Sequence, residues 1–301
     1  MSKKRQFHLL MGIALVLMSI AAYLSFEKNE SDCLTVSFID VGQGDSALIR
    51  TPDGETVLID AGEQSAAESV IEPYLAAQRI LGVKTAVASH MHSDHMGGFL
   101  ELLGRVPVQR LIIPLAEDDG WAKDKLLEKA EKCGARVTAV SAENGFSTDS
   151  RELKCEVLFP DYEIYRNTGG NKNNDSIVLR VSWFDTSFLF TGDLEADAEA
   201  VLVNSGQLKS DVLKVGHHGS STSTSEEFLE SVSPKYAVIS AGRDNRYGHP
   251  HKETTDRLDA KGVKTFRTDR DGTVEFLTDE HGIRDIRCAN GDNAEVRQNG
   301  N

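Results

Sequence analysis

The chain has 301 residues, 40% of them apolar and 27% charged, a balance typical of a folded protein and too apolar for wholesale disorder. Its 33 basic against 47 acidic residues leave a formal charge of −14. An acidic surface repels polyanions at long range, which argues against a stable coating of nucleic acid but not against a site that neutralises one phosphate locally with metal ions.

The first residues form a separate unit. Lys3, Lys4 and Arg5 precede Gln6 to Phe26, 21 residues without Asp, Glu, Lys or Arg. Such a segment is a membrane anchor or a signal peptide; its length favours the anchor, while Ser19-Ile20-Ala21 leaves cleavage after Ala21 open. The basic residues are expected to stay cytoplasmic, which places the rest of the chain outside. The expected organisation is an anchor and linker over residues 1–31, a folded domain over 32–288, and a disordered polar tail over 289–301.

In chain order, "LTVSFID" predicts a buried strand and "VGQGD" a glycine turn, followed by the hairpin "SALIRTPDGETVLIDAG" around Pro52-Asp53-Gly54. Residues 64–81 have helical spacing. The strand "KTAVASH" stops at His90 and "HMGGFLELLGRV" begins a helix. "QRLIIP" and "ARVTAVSAE" are strands flanking the helix "WAKDKLLEKAEKC". "ELKCEVLFP" leads into the polar loop "DYEIYRNTGGNKNND", then the hairpin "SIVLRVSWFDTSFLFTGD" and the helix "LEADAEAVLVNSG". The strand of "SDVLKVGHHGS", the helix "SEEFLESVSP", the strand "YAVISAG" and the helix "KETTDRLDAKG" follow, and "VKTFRTDRDGTVEFLTD" closes as a hairpin. Two β-rich halves with outer helices and no long linker predict a single α/β domain, a four-layer αββα sandwich.

Outside the cytoplasm four cysteines could pair. Cys33–Cys288 with Cys133–Cys155 is one of three possible pairings, and sequence does not choose among them. No CxxC occurs, so a cysteine-based zinc site is not expected.

"SHMHSDHMGG", residues 89–98, places three of the nine histidines and an aspartate within six positions. His90 and His92 are two apart at a strand end, so their side chains project the same way and can share an ion. Asp94 and His95 follow where the chain turns, and can serve a neighbouring position. Imidazole with carboxylate suits zinc, manganese or iron rather than calcium. A pair of ions needs more ligands. "FLFTGD" offers Asp193, a strand-end carboxylate able to bridge two ions. "LKVGHHGS" offers His217 and His218, and "YGHPH" offers His249 and His251, all beside glycine. A lone strand-end histidine is structural more often than not, and His281 has no such context; the weight lies in the combination.

"HMHSDH" resembles the HxHxDH signature of the metallo-β-lactamase superfamily. "FIDVGQGDS", "LIDAG", "NNDSIVLRV", "TGD", "LKVGHHGS" and "YGHPH" look more narrowly like the lactamase-like domain of ComEC-type competence proteins, over about residues 34–278. The resemblance implies the αββα sandwich, with the site at one edge of its two sheets. It assigns His90 and His92 to one metal, Asp94 and His95 to the other, Asp193 to the bridge and His249 to a late ligand. Asp60 of "LIDAG" matches a residue that orients the site from behind. Asp40, Asn174 and Ser176, in the other matched motifs, are candidates for the surroundings of the ligands or of the substrate. Many superfamily members place another ligand histidine before the bridging aspartate, but this chain has no histidine from 96 to 216. His217 or His218 is the alternative for completing the first metal. His218 is favoured near the reaction centre, as ligand or proton donor. Lys214 is either an anion contact or a solvated strand lysine.

Two divalent cations, zinc or manganese, would lower the pKa of a shared water and polarise a substrate oxygen. Asp193 can then take a proton from the attacking water and a histidine can protonate the leaving alkoxide. The expected activity is metal-dependent hydrolysis of a phosphodiester, with a nucleic acid among the possible substrates. ComEC-type proteins join this domain to a membrane channel; no multi-helix region occurs in this sequence, and an extracytoplasmic hydrolase standing alone is expected. The alternatives are a non-catalytic cell-surface binding module with the same fold, or hydrolysis of another ester or amide such as a β-lactam. Metal content separates the binding module from the enzyme, and the missing mid-chain histidine counts against the β-lactam.

Overall fold

Along each central strand alternate side chains face opposite layers, and this alternation builds the architecture. In β1 (Leu34–Phe38), Leu34, Val36 and Phe38 face inward; in β2 (Ala47–Arg50) and β3 (Thr56–Ile59), Leu48 and Leu58 face outward while their neighbours Ile49 and Val57 face in. Such strands are apolar on both faces and need a covering layer on each. The computed structural model describes residues 8, 11–13, 15–16, 18, 32–115, 120–161, 171–205 and 208–291. They supply the four layers.

The first sheet has eight strands in the order β14-β13-β1-β2-β3-β4-β5-β6. Its remaining strands are β4 (Val83–Val87), β5 (Val108–Pro114), β6 (Arg136–Val140), β13 (Val274–Asp279) and β14 (Gly282–Cys288). The second has six, in the order β12-β11-β10-β9-β8-β7: β7 (Leu153–Phe159), β8 (Val178–Trp183), β9 (Thr186–Phe190), β10 (Val212–Lys214), β11 (Tyr236–Ile239) and β12 (Lys264–Arg267). Between the sheets lies a core in which Phe38, Phe188, Phe266 and Tyr236 all bring their rings within 6 Å of Phe276.

Over the first sheet's outer face lie a π-helical turn at Ala67–Ile71 and α1 (Glu72–Ala77), the short helices α2 (Ser93–Met96) and α3 (Phe99–Leu102), and α4 (Trp121–Cys133). α5 (Ala196–Ser205), α6 (Glu226–Val232) and α7 (Lys252–Ala260) cover the second sheet, packing Ala198, Phe228 and Leu258 onto Leu189 and Leu213. Strands β3 to β6 run parallel, as do β9 to β12, so each set delivers its C-terminal ends to one edge. That edge is where open α/β sheets place their ligands.

One expectation changes. "VKTFRTDRDGTVEFLTD" is not a hairpin: β12 pairs parallel with β11, the short α8 (Thr268–Asp271) carries the chain across, and β13 pairs with β1 and β14 in the other sheet. The pattern within a strand says which faces are buried, not which strand lies beside it. Register also excludes Cys33–Cys288 with Cys133–Cys155, one of the three cysteine pairings that the sequence leaves open. Cys288 stands opposite Val274, which stands opposite Phe38 at the far end of β1 from Cys33. Five residues of strand separate them by about 17 Å along the sheet, against the roughly 7 Å limit for a bridge. Cys133 ends α4 on the outer face, whereas Cys155 in β7 packs against the inter-sheet core, so the first sheet stands between them. Burial pushes the Cys155 thiol up to about 12, leaving it inert.

The chain divides into a unit over Met1–Cys33 and one over Leu34–Asn301. The anchor expected over residues 6–26 falls largely outside the described residues, and no helix among those described is long and apolar enough to cross a membrane. Most of the expected tail lies outside them too; Ala289 and Asn290 still bond to Thr273 and Asp271.

Phe276 is fully buried at the meeting point of four rings. Phe276→Ala should cost about 3–5 kcal/mol in urea unfolding; a loss below 1 kcal/mol would mean that the sheets do not pack face to face there.

Candidate metal centre

The site is assembled at the parallel strands' C-terminal ends. His90 follows β4, His92 is the residue before α2, and His95 lies within α2. Asp193 follows β9, while His217 and His218 follow β10. Both of the latter adopt left-handed backbone, at φ 48° and 54°, inside the tight turn Gly216–Gly219. This conformation costs of order 1–3 kcal/mol per residue and is retained where the surroundings require it. Here it turns two successive imidazoles toward one carboxylate.

Asp193 is the centre. It is buried, and its ionic neighbours among the described residues are all histidines: His95 Nε2 at 3.1 Å, His218 Nε2 at 3.6 Å, His217 Nε2 at 3.7 Å and His90 Nε2 at 3.9 Å. Its approach requires glycine at 192, where a Cβ would meet Ser176 Oγ at 2.8 Å and Ser89 Oγ at 3.1 Å. Two overlapping groups share it: His90, His92 and Asp193, and Asp45, His95, His218 and Asp193.

The residues around the ligands hold them from behind. Asp60 accepts from Ser89 N and Ser89 Oγ, both at 2.7 Å, and from His95 Nδ1 at 2.8 Å. With Nδ1 donating to Asp60, His95 Nε2 is left as the atom aimed at Asp193. Ser176 Oγ accepts from Asp193 N at 3.0 Å and lies 3.4 Å from His90 Nδ1; Asn174 Oδ1 accepts from Glu195 N at 3.0 Å. The "NNDS" segment therefore shapes the Asp193 loop.

Carboxylates dominate the electrostatics. Burial presses the His90 imidazole well below its usual pKa, with His95 adding to the effect, so His90 is neutral and able to donate a lone pair. Burial works against charge on His95 and His218 as well. It is outweighed by Asp193 and Asp60 at His95, which is held well above the usual range, and by Asp193 and Asp45 at His218, which rises to about 9. Asp45 and Asp193 are themselves held low despite burial, Asp45 by Lys214 and His218 and Asp193 by His95 and His218.

Divalent metal fits these residues. His95 Nε2 and Asp193 Oδ1 are buried, face each other and have no hydrogen-bond partner. His90 Nε2 and His92 Nδ1 lie 3.0 Å apart, two ring nitrogens aimed at one point. The donor set is nitrogen and carboxylate oxygen, which suits zinc or manganese.

Several placements differ from the sequence reading. Asp94 meets His218 Nε2 at 3.2 Å, and His218 groups with His95 rather than completing the His90–His92 position. His249 belongs to neither group; it stands at the rim, its ring 5.6 Å from that of His217, and burial beside His218 and His217 lowers it to about 4. His251 accepts from Ser221 N and serves the start of α7. Asp40 accepts from Gly42 N and its own N–H donates to Thr273; these contacts stabilise the turn after β1 and do not reach the histidines. Lys214 is neither solvated nor available to a substrate. β10 turns it to the inner face with Val212, where Nζ lies 2.6 Å from Asp45 Oδ2 and donates to Val215 O at 2.8 Å. Asp45 was not singled out by the sequence reading. Its signal was present in "VGQGD": a carboxylate after two glycines, Gly42 and Gly44, both at positive φ, with no room for a Cβ at Gly44 beside Asp94 O.

Known proteins share this fold and much of this sequence. The metallo-beta-lactamase superfamily model matches residues 39–153 and 167–243. ComE operon protein 3 of Bacillus subtilis is 35% identical over 80% of this chain and 32% of its own length. Competence protein ComA of Neisseria gonorrhoeae is 34% identical over 88% of this chain and 36% of its own. The chain thus spans about a third of the length of these relatives. In fold it is similar to the metallo-beta-lactamase fold protein YhfI of Bacillus subtilis, with a TM-score of 0.55 at 12% identity over 82% of this chain and 99% of that one.

Calorimetric titration with zinc or manganese should find about two ions per chain, the number expected of paired sites, and His92→Ala should reduce it to about one. An unchanged stoichiometry in the variant would break the assignment of His90 and His92 to a position of their own.

Proposed function

This chain belongs to the metallo-β-lactamase superfamily, and we propose on that basis that it is a metal-dependent hydrolase whose substrate is a phosphodiester. The observation that carries the reading is the pair of ligand groups sharing the buried Asp193. Two divalent cations held there would bring a water's pKa near neutrality and neutralise charge on a phosphoryl oxygen.

The chain's own residues supply the remainder. Asp193, held ionised by His95 and His218, would keep the two positions adjacent. His218 is fixed by Ser240 O at 3.0 Å and Asp45 Oδ1 at 3.2 Å, both at Nδ1, so Nε2 is the atom it presents to Asp94 and the site. His217, partly exposed, with Glu195 Oε1 3.3 Å from its Nδ1 and its Nε2 3.7 Å from Asp193 Oδ2, is placed to protonate a leaving alkoxide. Asp60 fixes the ring of His95.

Relatives named for competence support a phosphodiester of nucleic-acid type over a β-lactam, as does the absence of histidine from 96 to 216. A location outside the cytoplasm is supported by the three basic residues ahead of the uncharged 21-residue stretch.

Purified protein loaded with manganese or zinc should hydrolyse bis-p-nitrophenyl phosphate, and Asp193→Asn or Asp94→Ala should abolish turnover, a fall of at least about a hundredfold, with an unchanged circular dichroism spectrum. Cleavage of nitrocefin alone would rule the phosphodiester out.

A further inference from the structure

The end of the domain opposite the metal centre carries features that hydrolysis leaves unused. Strands β3 to β6 and β9 to β12 all begin there, because their C-terminal ends form the edge that holds the histidines. β1 is antiparallel to β2 and β2 to β3, so β1 runs the same way and Leu34 stands at this end too. The chain therefore enters the domain on the side away from the site. Residues 27–33, seven in all, separate Leu34 from the stretch 6–26, which has no Asp, Glu, Lys or Arg. Seven residues reach at most about 25 Å when fully extended.

Each sheet projects one apolar side chain from this end. Leu81, in the turn ahead of β4, is 90% exposed, the most open large apolar side chain among the described residues. The turn itself is held: Val83 N donates to Pro107 O at 2.8 Å, and a Cβ at Gly82 would meet the same oxygen at 3.1 Å. Phe184 tips the β8–β9 hairpin at 46% exposure, its ring edge-on to that of Trp183. It holds φ at 49°, a left-handed conformation that glycine or asparagine would adopt with less strain. Turn chemistry does not ask for a large ring there, and packing leaves nearly half of it in solvent.

Beside Phe184 runs a row of lysines. Lys209 precedes β10, Lys235 precedes β11 and Lys264 opens β12, and all three are exposed. These strands are neighbours in the second sheet, spaced about 4.8 Å apart. Asp185 and Asp211 lie among them, with Lys235 Nζ 3.1 Å from Asp211 Oδ1. A cationic row next to apolar tips, on a chain of net charge −14, matches a surface with anionic head groups over an apolar interior. Lysine stems can lie along the apolar layer while their ammonium groups stay at the phosphates. A second copy of the same face would set lysine row against lysine row.

We propose that this end is a membrane-docking face. Leu81 and Phe184 enter the interfacial layer of an anionic phospholipid bilayer, Lys209, Lys235 and Lys264 meet its phosphates, and the metal centre opens away from the lipid. Substrate then reaches the site from the aqueous side. The face does not depend on which bond the site hydrolyses.

The full chain, reconstituted into vesicles of phosphatidylcholine and phosphatidylglycerol with or without bromine on the acyl chains, tests the orientation. Leu81→Trp and Phe184→Trp each add an indole at this end. The emission gained over the wild-type protein, which holds Trp121 and Trp183, should lose most of its intensity in brominated vesicles. Glu63→Trp, exposed beyond β3 at the site edge, should gain emission that bromine leaves untouched. In Phe184→Trp, adding Lys209→Glu, Lys235→Glu and Lys264→Glu together should abolish the quenching, while the protein still sediments with the vesicles and keeps its circular dichroism spectrum. Unquenched emission at 81 and 184 overturns the docking face, as does equal quenching in Glu63→Trp or quenching that survives the charge reversal. A wild-type chain that does not sediment with the vesicles overturns it too.

Discussion

The structure is organised around one constraint, a carboxylate buried where two sheets meet. Asp193 comes from the second sheet, yet two of its four imidazole neighbours, His90 and His95, belong to the first. A carboxylate taken out of water without lysine or arginine is costly, and the cost falls only if the opposing groups are held close. The loops from β4, β9 and β10 must therefore meet at one place, and the face-to-face packing around Phe276 holds the sheets in the relative position this requires. Core and site are in this sense one problem: the apolar layer positions the edges, and the edges carry the polar groups that the layer cannot accommodate.

The supporting residues show how far that organisation reaches. Asp60, Ser89 and Ser176 between them fix His90, His95 and the Asp193 loop by hydrogen bonds of 2.7–3.4 Å. Glu199 does the same at one remove, accepting from the backbone N–H groups of Thr224 and Ser225 to close the segment that follows the paired histidines. Positions this closely braced change geometry little when charge arrives, which is the condition for electrostatic stabilisation without reorganisation.

Much of this was legible in the sequence, and the gaps have physical causes. Strand and helix periodicity located almost every element, and "HMHSDH" with "TGD" and "GHHGS" marked the residues that gather round Asp193. What the pattern could not convey was partnership. "VKTFRTDRDGTVEFLTD" has the form of a hairpin but is split between two sheets, because strand pairing is settled by layers far away in sequence. The same limit applied to Lys214: alternation along a three-residue strand says that it faces the side of Val212, but only the neighbouring turn shows that Asp45 waits there. His249 kept its position beside glycine and still fell outside both groups, since hydrogen bonds of Asn245 to its backbone aim its ring at Tyr247 and His217.

The Lys214–Asp45 pair has a consequence for how this site could diverge. Both partners are nearly sealed from solvent, so a change at either one alone strands a charge at a cost of about 3–5 kcal/mol. Single mutational steps across this pair descend into a deep valley. A descendant that trades Asp45 for another residue has to change position 214 in the same stroke, which ties the evolution of one side of the metal centre to a strand buried beneath the other.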